Sequence, residues 1–214
     1  LDAQRRVEAG LVREFLDRGL PEEAGIRMLA WARRGLSRDL LARLLGAGPE
    51  AAERSFKALR QMAFVKTRPE DQSLFLHDEM QRLLCEHLLK HHVAERDAIL
   101  AAILDYYNER IREIRADLES DLWYAGAAVS SEERLKRATE RYGLRSQLYR
   151  LMAEQVHYRL RYRPREGFQQ YYYYIKETTW AGRLSAMMEL RDELLLFKRE
   201  LEDGVEEDDP RLRN

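Results

Sequence analysis

The chain is poor in cysteine, in glycine and proline, and in any surplus of one charge. A lone Cys85 among 214 residues leaves nothing to cross-link, so a disulfide framework is excluded. Eleven Gly and five Pro are too few for a collagen, mucin or linker composition, and 45% apolar content is too high for a disordered chain. No run approaches the roughly 18 uninterrupted apolar residues of a membrane span. Residues 1–20 carry scattered Arg, Asp and Glu where a signal peptide needs an apolar core. The expected setting is a reducing cytoplasm, with no membrane partner. With 37 Lys+Arg against 38 Asp+Glu, the net charge of -1 gives no global field toward nucleic acid, so such binding needs a local patch. Neither G-x-x-x-x-G-K-S/T nor G-x-G-x-x-G occurs, so the backbone cradle that holds a nucleotide's phosphates is missing. Together with the lack of a catalytic constellation, this predicts a segment that is no enzyme and holds no cofactor of its own.

What the chain does have is helical periodicity. Val7, Leu11, Val12, Phe15 and Leu16 predict a leading helix within residues 1–20, opening mid-pattern at Leu1 as a piece of a longer protein would. Pro21 with Glu22 and Glu23 suits the start of the first helix of a new group, running to about Arg34 and closed by Gly35. Ser37 reads as the N-cap of a short helix carrying Leu40, Leu41, Leu44 and Leu45, and Gly46 as its stop. Pro49 opens a third, with Ala52, Phe56, Leu59 and Ala63 along one stripe. The runs 63–67 and 74–77, separated by the polar, Pro-containing 68–73, predict a β-hairpin. Asp78 then reads as a cap with Gln81 reaching back to it, and Met80, Leu83, Leu84 and Leu88 as a buried stripe.

Three helices, a hairpin and a further helix form the order of a winged-helix domain, expected over 21–92. From Val93 to residue 201 only helical spacing is legible, over 99–114, 142–162, 165–178 and 184–201. The predicted fold class is therefore mainly α: a winged helix with a small β-hairpin, followed by an antiparallel, tetratricopeptide-like helical array, although that repeat's fixed positions are not legible. Residues 202–214, with six acids, read as a solvated, disordered acidic tail.

Three passages carry a resemblance. Gly35-Leu36-Ser37-Arg38-Asp39-Leu40-Leu41, then residues 58–65 (ALRQMAFV), then Phe75-Leu76-His77-Asp78-Glu79-Met80 with Gln81-Arg82-Leu83-Leu84, are similar to the winged-helix module of signal-transduction NTPases of the STAND class. In that class a nucleotide-binding domain precedes the winged helix and a helical-repeat sensor follows. Leu76-His77-Asp78 resembles the family's Met-His-Asp triplet, with Leu in place of Met. The resemblance implies that His77 contacts the β-phosphate of ADP in the intact protein and that Asp78 fixes the local turn. It further implies ADP or ATP with Mg in that parent, an upstream nucleotide-binding domain as partner, an activating protein or ligand on the repeats, and a homo-oligomer on activation. A weaker match, residues 148–168, looks like a repeat boundary seen in bacterial members.

Other residues invite alternatives. A winged helix can read DNA, and Arg54, Lys57 and Arg60 on the third helix are the candidate contacts for a DNA-binding regulator with a helical dimerisation domain. Glu50 and Glu53 offset them, which argues against DNA as the partner. Residues 134–165 hold ten Lys or Arg with Tyr142, Tyr149, Tyr158 and Tyr162 interleaved, a pattern that stacks single-stranded bases or, more simply, forms the seam between helices. Tyr171, Tyr172, Tyr173 and Tyr174 point around a whole helix circumference, so some of them are candidate partner contacts. Trp180, Phe168 and Phe197 are expected in one apolar array. His87 and His91 have a metal-sharing spacing but no supporting ligand motif, and Cys85 reads as a small core or boundary residue.

Overall fold

The computed structural model describes residues 10, 22–87, 92–123 and 130–203. The expected leading helix, Leu88, His91, Tyr124 and residues 204–214 of the tail lie outside these residues, apart from Gly10, which is helical. The described chain is mainly helical with one small antiparallel sheet. It divides into two units, Leu1–Tyr106 and Tyr107–Asn214.

The first unit contains helices α1 (Glu23–Trp31), α2 (Arg38–Leu45) and α3 (Pro49–Arg60), strands β1 (Val65–Thr67) and β2 (Leu74–Leu76), and helix α4 (Asp78–His87). It also takes the first part of α5 (Val93–Trp123). Helix α1 stops at Trp31, short of the expected Arg34. Ser37 caps α2 as its sequence predicts, accepting from the Leu40 amide at 3.2 Å, and Gly46 ends it in the left-handed region. Pro49 occupies the first turn of α3, where its missing N–H leaves no bond unmade. The hairpin register pairs Val65 with Leu76, Lys66 with Phe75 and Thr67 with Leu74. Its turn is fixed by Asp71, whose carboxylate accepts from the Ser73 amide at 3.1 Å and hydroxyl at 2.7 Å.

One further backbone pairing was not expected. Leu36 and Leu74 exchange N–H···O bonds of 2.7 and 3.0 Å, adding a single bridge on the far edge of β2. Gly35 permits it: its φ is +110°, and a Cβ there would lie 2.6 Å from Ser73 Oγ. Beneath the hairpin, Ile26, Leu29, Leu36, Leu40, Leu41, Leu59, Leu74, Leu76 and Leu84 are fully buried. Each contributes roughly 1.5–3 kcal/mol of burial.

In the second unit, the later part of α5 is followed by α6 (Ser131–Tyr162), α7 (Pro164–Trp180) and α8 (Leu184–Asp203). The last three pack pairwise on one another. Contacts pair Gln155 with Tyr174 and Leu160 with Gly167, so α7 runs antiparallel to α6. His157 with Glu193 and Arg161 with Glu200 make α8 parallel to α6. Helix α6 begins at Ser131, well before the expected Tyr142, and α5 outruns 99–114 at both ends. Glu202 and Asp203 belong to α8 rather than to the tail. The corner between α6 and α7 is one residue, Arg163, with Pro164 opening the new helix.

Candidate functional site

His77 ends the hairpin and begins a helix. Its N–H donates to the Phe64 carbonyl at 3.0 Å, extending the β1–β2 ladder by one residue. Its own carbonyl accepts from the Gln81 amide at 2.9 Å, the first bond of α4. The backbone of His77 is therefore held from both sides while its side chain is exposed. His77 rather than Asp78 is the N-cap residue, and Asp78 is the first helical residue, where its charge suits the positive helix end. Gln81 does not reach back to the cap: its Nε2 donates to the Ala30 carbonyl of α1 at 2.8 Å, tying α4 to α1. Among the described residues, neither the His77 imidazole nor the exposed Asp78 carboxylate has a hydrogen-bond partner. A neutral or protonated imidazole so placed can donate to an anionic oxygen, more strongly when protonated.

The basic residues of α3 fare unequally. Arg54, Lys57 and Arg60 are all exposed. Lys57 Nζ lies 3.4 Å from Glu53, which also binds Arg38 at 2.7 Å. Arg38 in turn stacks on Phe56, 5.4 Å from the ring centroid. Lys57 thus has a carboxylate of its own chain to satisfy it, whereas Arg54 and Arg60 have no partner among the described residues.

The four tyrosines separate by helical position. Tyr174 is buried, and its hydroxyl donates to Gln155 Oε1 at 2.5 Å. Gln155 passes the chain on, its Nε2 donating to Asn108 Oδ1 at 2.5 Å. Burial pushes the Tyr174 phenol up to about 12, with Glu177 and Tyr173 adding to the effect and Arg115 and Arg159 opposing it. Tyr171 is half-buried, while Tyr172 and Tyr173 are 59% and 57% exposed. Lys176 Nζ sits 4.4 Å from the Tyr172 ring centroid, a cation–π contact on the helix surface. Next to Tyr173, Arg115 bonds both Glu177 oxygens at 3.0 and 2.7 Å. Burial lowers the Arg115 pKa, but the bonds to Glu177 more than offset it and the net shift is upward.

The interleaved tyrosines of α6 also divide. Tyr158 is fully buried, stacked on Tyr107 with centroids 5.6 Å apart, and Tyr149 is half-buried. Tyr142 is 65% exposed and is not part of the seam. Phe168 and Phe197 meet edge to face at 6.1 Å, but Trp180 is 86% exposed and stands apart from that array. Cys85 is half-buried with its sulfur 4.0 Å from the Ala30 carbonyl. Backbone at His87 is helical, and the pair it was expected to form with His91 lies outside the described residues.

Periodicity did not single out the buried polar residues of α6 and α8. His157 and Glu193 are both buried, and Nδ1 lies 2.9 Å from Oε2. Arg161 bonds Glu200 at 2.7 Å and the His157 carbonyl at 2.7 Å. At the corner, Glu166 accepts from Arg163 at 3.0 Å and Arg159 at 3.1 Å, and Arg163 holds its carboxyl below the usual range. These contacts clamp α6, α7 and α8 to one another. Among the described residues, no three His, Cys, Asp or Glu side chains are grouped to hold a metal, and no helix is long and apolar enough to cross a membrane. No protein-family model, curated protein or solved structure matches the chain.

Proposed function

We propose that this chain is a non-catalytic regulatory segment of a STAND-class NTPase: a winged helix over 21–92 that transmits nucleotide state, and a tetratricopeptide-like array over 93–201 that recognises an activator. The observation that carries this reading is the setting of His77. An imidazole at the end of a hairpin strand, fixed by two backbone bonds yet exposed and unpartnered among the described residues, suits a sensor for a phosphate supplied by another domain. The Leu36–Leu74 bridge adds support, since backbone pairing of the segment between the first two helices with the hairpin suits the winged-helix order. In the second unit, exposed Tyr172 and Tyr173 beside a clamped three-helix core suit a recognition surface.

In this switch His77 donates to the β-phosphate of ADP bound to an upstream nucleotide-binding domain. That contact stabilises a closed, cytoplasmic monomer. An activator on the repeats favours the open state, in which the contact is lost and copies of the protein assemble. The bound nucleotide and its Mg supply the energy source, and this chain supplies the donor that reads which nucleotide is present.

The test has two parts. The coding sequence before Leu1 should contain a phosphate loop, and the intact protein should purify with ADP. If it has no such loop and carries no nucleotide, the reading is wrong. The second reading, a DNA-binding regulator, rests on exposed Arg54 and Arg60 and requires binding that weakens steeply with salt.

A further inference from the structure

The hairpin places a second cation beside His77. Along β1 and β2, Val65, Thr67, Leu74 and Leu76 turn toward the core, so the opposite face carries Lys66, Phe75 and, one step beyond the strand, His77. Lys66 lies directly across from Phe75, and the His77–Phe64 bond keeps His77 in the same ladder, two residues along. Such a diagonal pair has Cα atoms about 7 to 8 Å apart, a gap that a four-carbon lysine stem closes. Lys66 is exposed and, like His77, has no partner among the described residues.

Charge explains why two groups are needed. Immediately after His77 come Asp78 and Glu79; Arg82 binds Glu79 at 2.7 Å, but the Asp78 carboxylate has no partner among the described residues. His77 alone would therefore present an anion with a single donor beside a carboxylate. Lys66 adds the positive charge that offsets Asp78 and makes the face attractive to a phosphoryl group.

We infer that Lys66 and His77 form a two-point site for a phosphoryl anion on the exposed face of the hairpin, Lys66 supplying charge and His77 a directional hydrogen bond. This rests on the reading of His77 as a phosphate contact and adds to it a residue that the triplet does not include. An exposed Lys on an edge strand also discourages edge-to-edge pairing. An anion role, in addition, ties Lys66 to the affinity of the anion that His77 reports.

The experiment is an NMR titration of the 214-residue chain with inorganic pyrophosphate at constant ionic strength, following the His77 imidazole carbons, assigned through His77→Ala. A saturable shift at His77 is expected in the wild type and in Lys66→Arg. In Lys66→Ala the apparent affinity should fall at least threefold, while Lys57→Ala, an equal loss of charge elsewhere on the unit, should leave it unchanged. An identical His77 response in Lys66→Ala and wild type would overturn the role of Lys66 and leave that of His77 standing. Equal losses in Lys57→Ala and Lys66→Ala would reduce the effect to general charge and overturn the site. No His77 response in any form would overturn both the site and the phosphate contact on which it rests.

Discussion

His157 Nδ1 lies 2.9 Å from Glu193 Oε2, and both side chains are buried between α6 and α8. Removing one member breaks this buried contact, at a cost of about 3–5 kcal/mol when the partner is charged. Replacing both with apolar residues removes the need for the pair. His157→Leu and Glu193→Leu should each destabilise strongly in urea unfolding, and the double variant should be far more stable than the sum of the two losses requires. Additive losses would show that the two residues act separately.

Gly167 and Gly143 should respond to alanine with opposite signs. A Cβ on Gly167 would lie 2.6 Å from Leu160 Cα and 2.7 Å from its N, so α6 and α7 would have to separate. Overpacking of this kind costs roughly 1–3 kcal/mol. Gly143 lies inside α6 with nothing within 4 Å of its added Cβ, so Gly143→Ala should stabilise by about 0.5–1 kcal/mol. Thermal melts of the two variants check both signs.

Tyr174 gives the fold an alkaline limit. Its folded value of about 12 lies above the ordinary 10.0, so the folded chain keeps this proton longer than the unfolded chain does. Stability is therefore unaffected below pH 10 and falls as the pH rises toward 12, by about 2–3 kcal/mol over that range. Tyrosinate absorbance should show a late-titrating phenol that disappears in Tyr174→Phe. The same variant leaves Gln155 Oε1 without its donor and should cost about 1–3 kcal/mol at neutral pH.

Local chemistry made the first unit legible. Ser37, Gly46 and Pro49 each fix a helix end through their own side chain or backbone, and that information travels with the residue. Asp78 misled because Asp also suits the first helical turn, and Gln81 was free to choose a distant carbonyl. The second unit was legible as helices but not in what joins them. Gln155, His157 and Glu193 occupy helical positions that periodicity assigns to either face, and only the approach of another helix decides that they are buried. Trp180 shows the converse, a large apolar side chain left exposed at a helix end where spacing alone suggested a core. For His77 the residue and its place after the hairpin were readable from the sequence. Its two backbone bonds and the nearness of Lys66 needed the register.

Helix α3 should not act as a DNA reader. Lys57 is already paired with Glu53, and Arg54 and Arg60 alone form a thin patch on a chain of net charge -1. Gel-shift titrations with duplex DNA at low salt should be flat, and charge reversal at Arg54, Lys57 and Arg60 should change nothing. Salt-sensitive binding that these reversals abolish would favour the regulator instead.

The most direct measurement is the nucleotide content and assembly state of the intact protein carrying His77→Ala, with Lys57→Ala as an exposed control. A switch held closed by His77 should lose most of its bound ADP in that variant and should assemble without activator, while the control stays closed and ADP-loaded. A His77→Ala protein that keeps its full complement of ADP and remains unassembled would contradict the assignment of His77 as the nucleotide sensor.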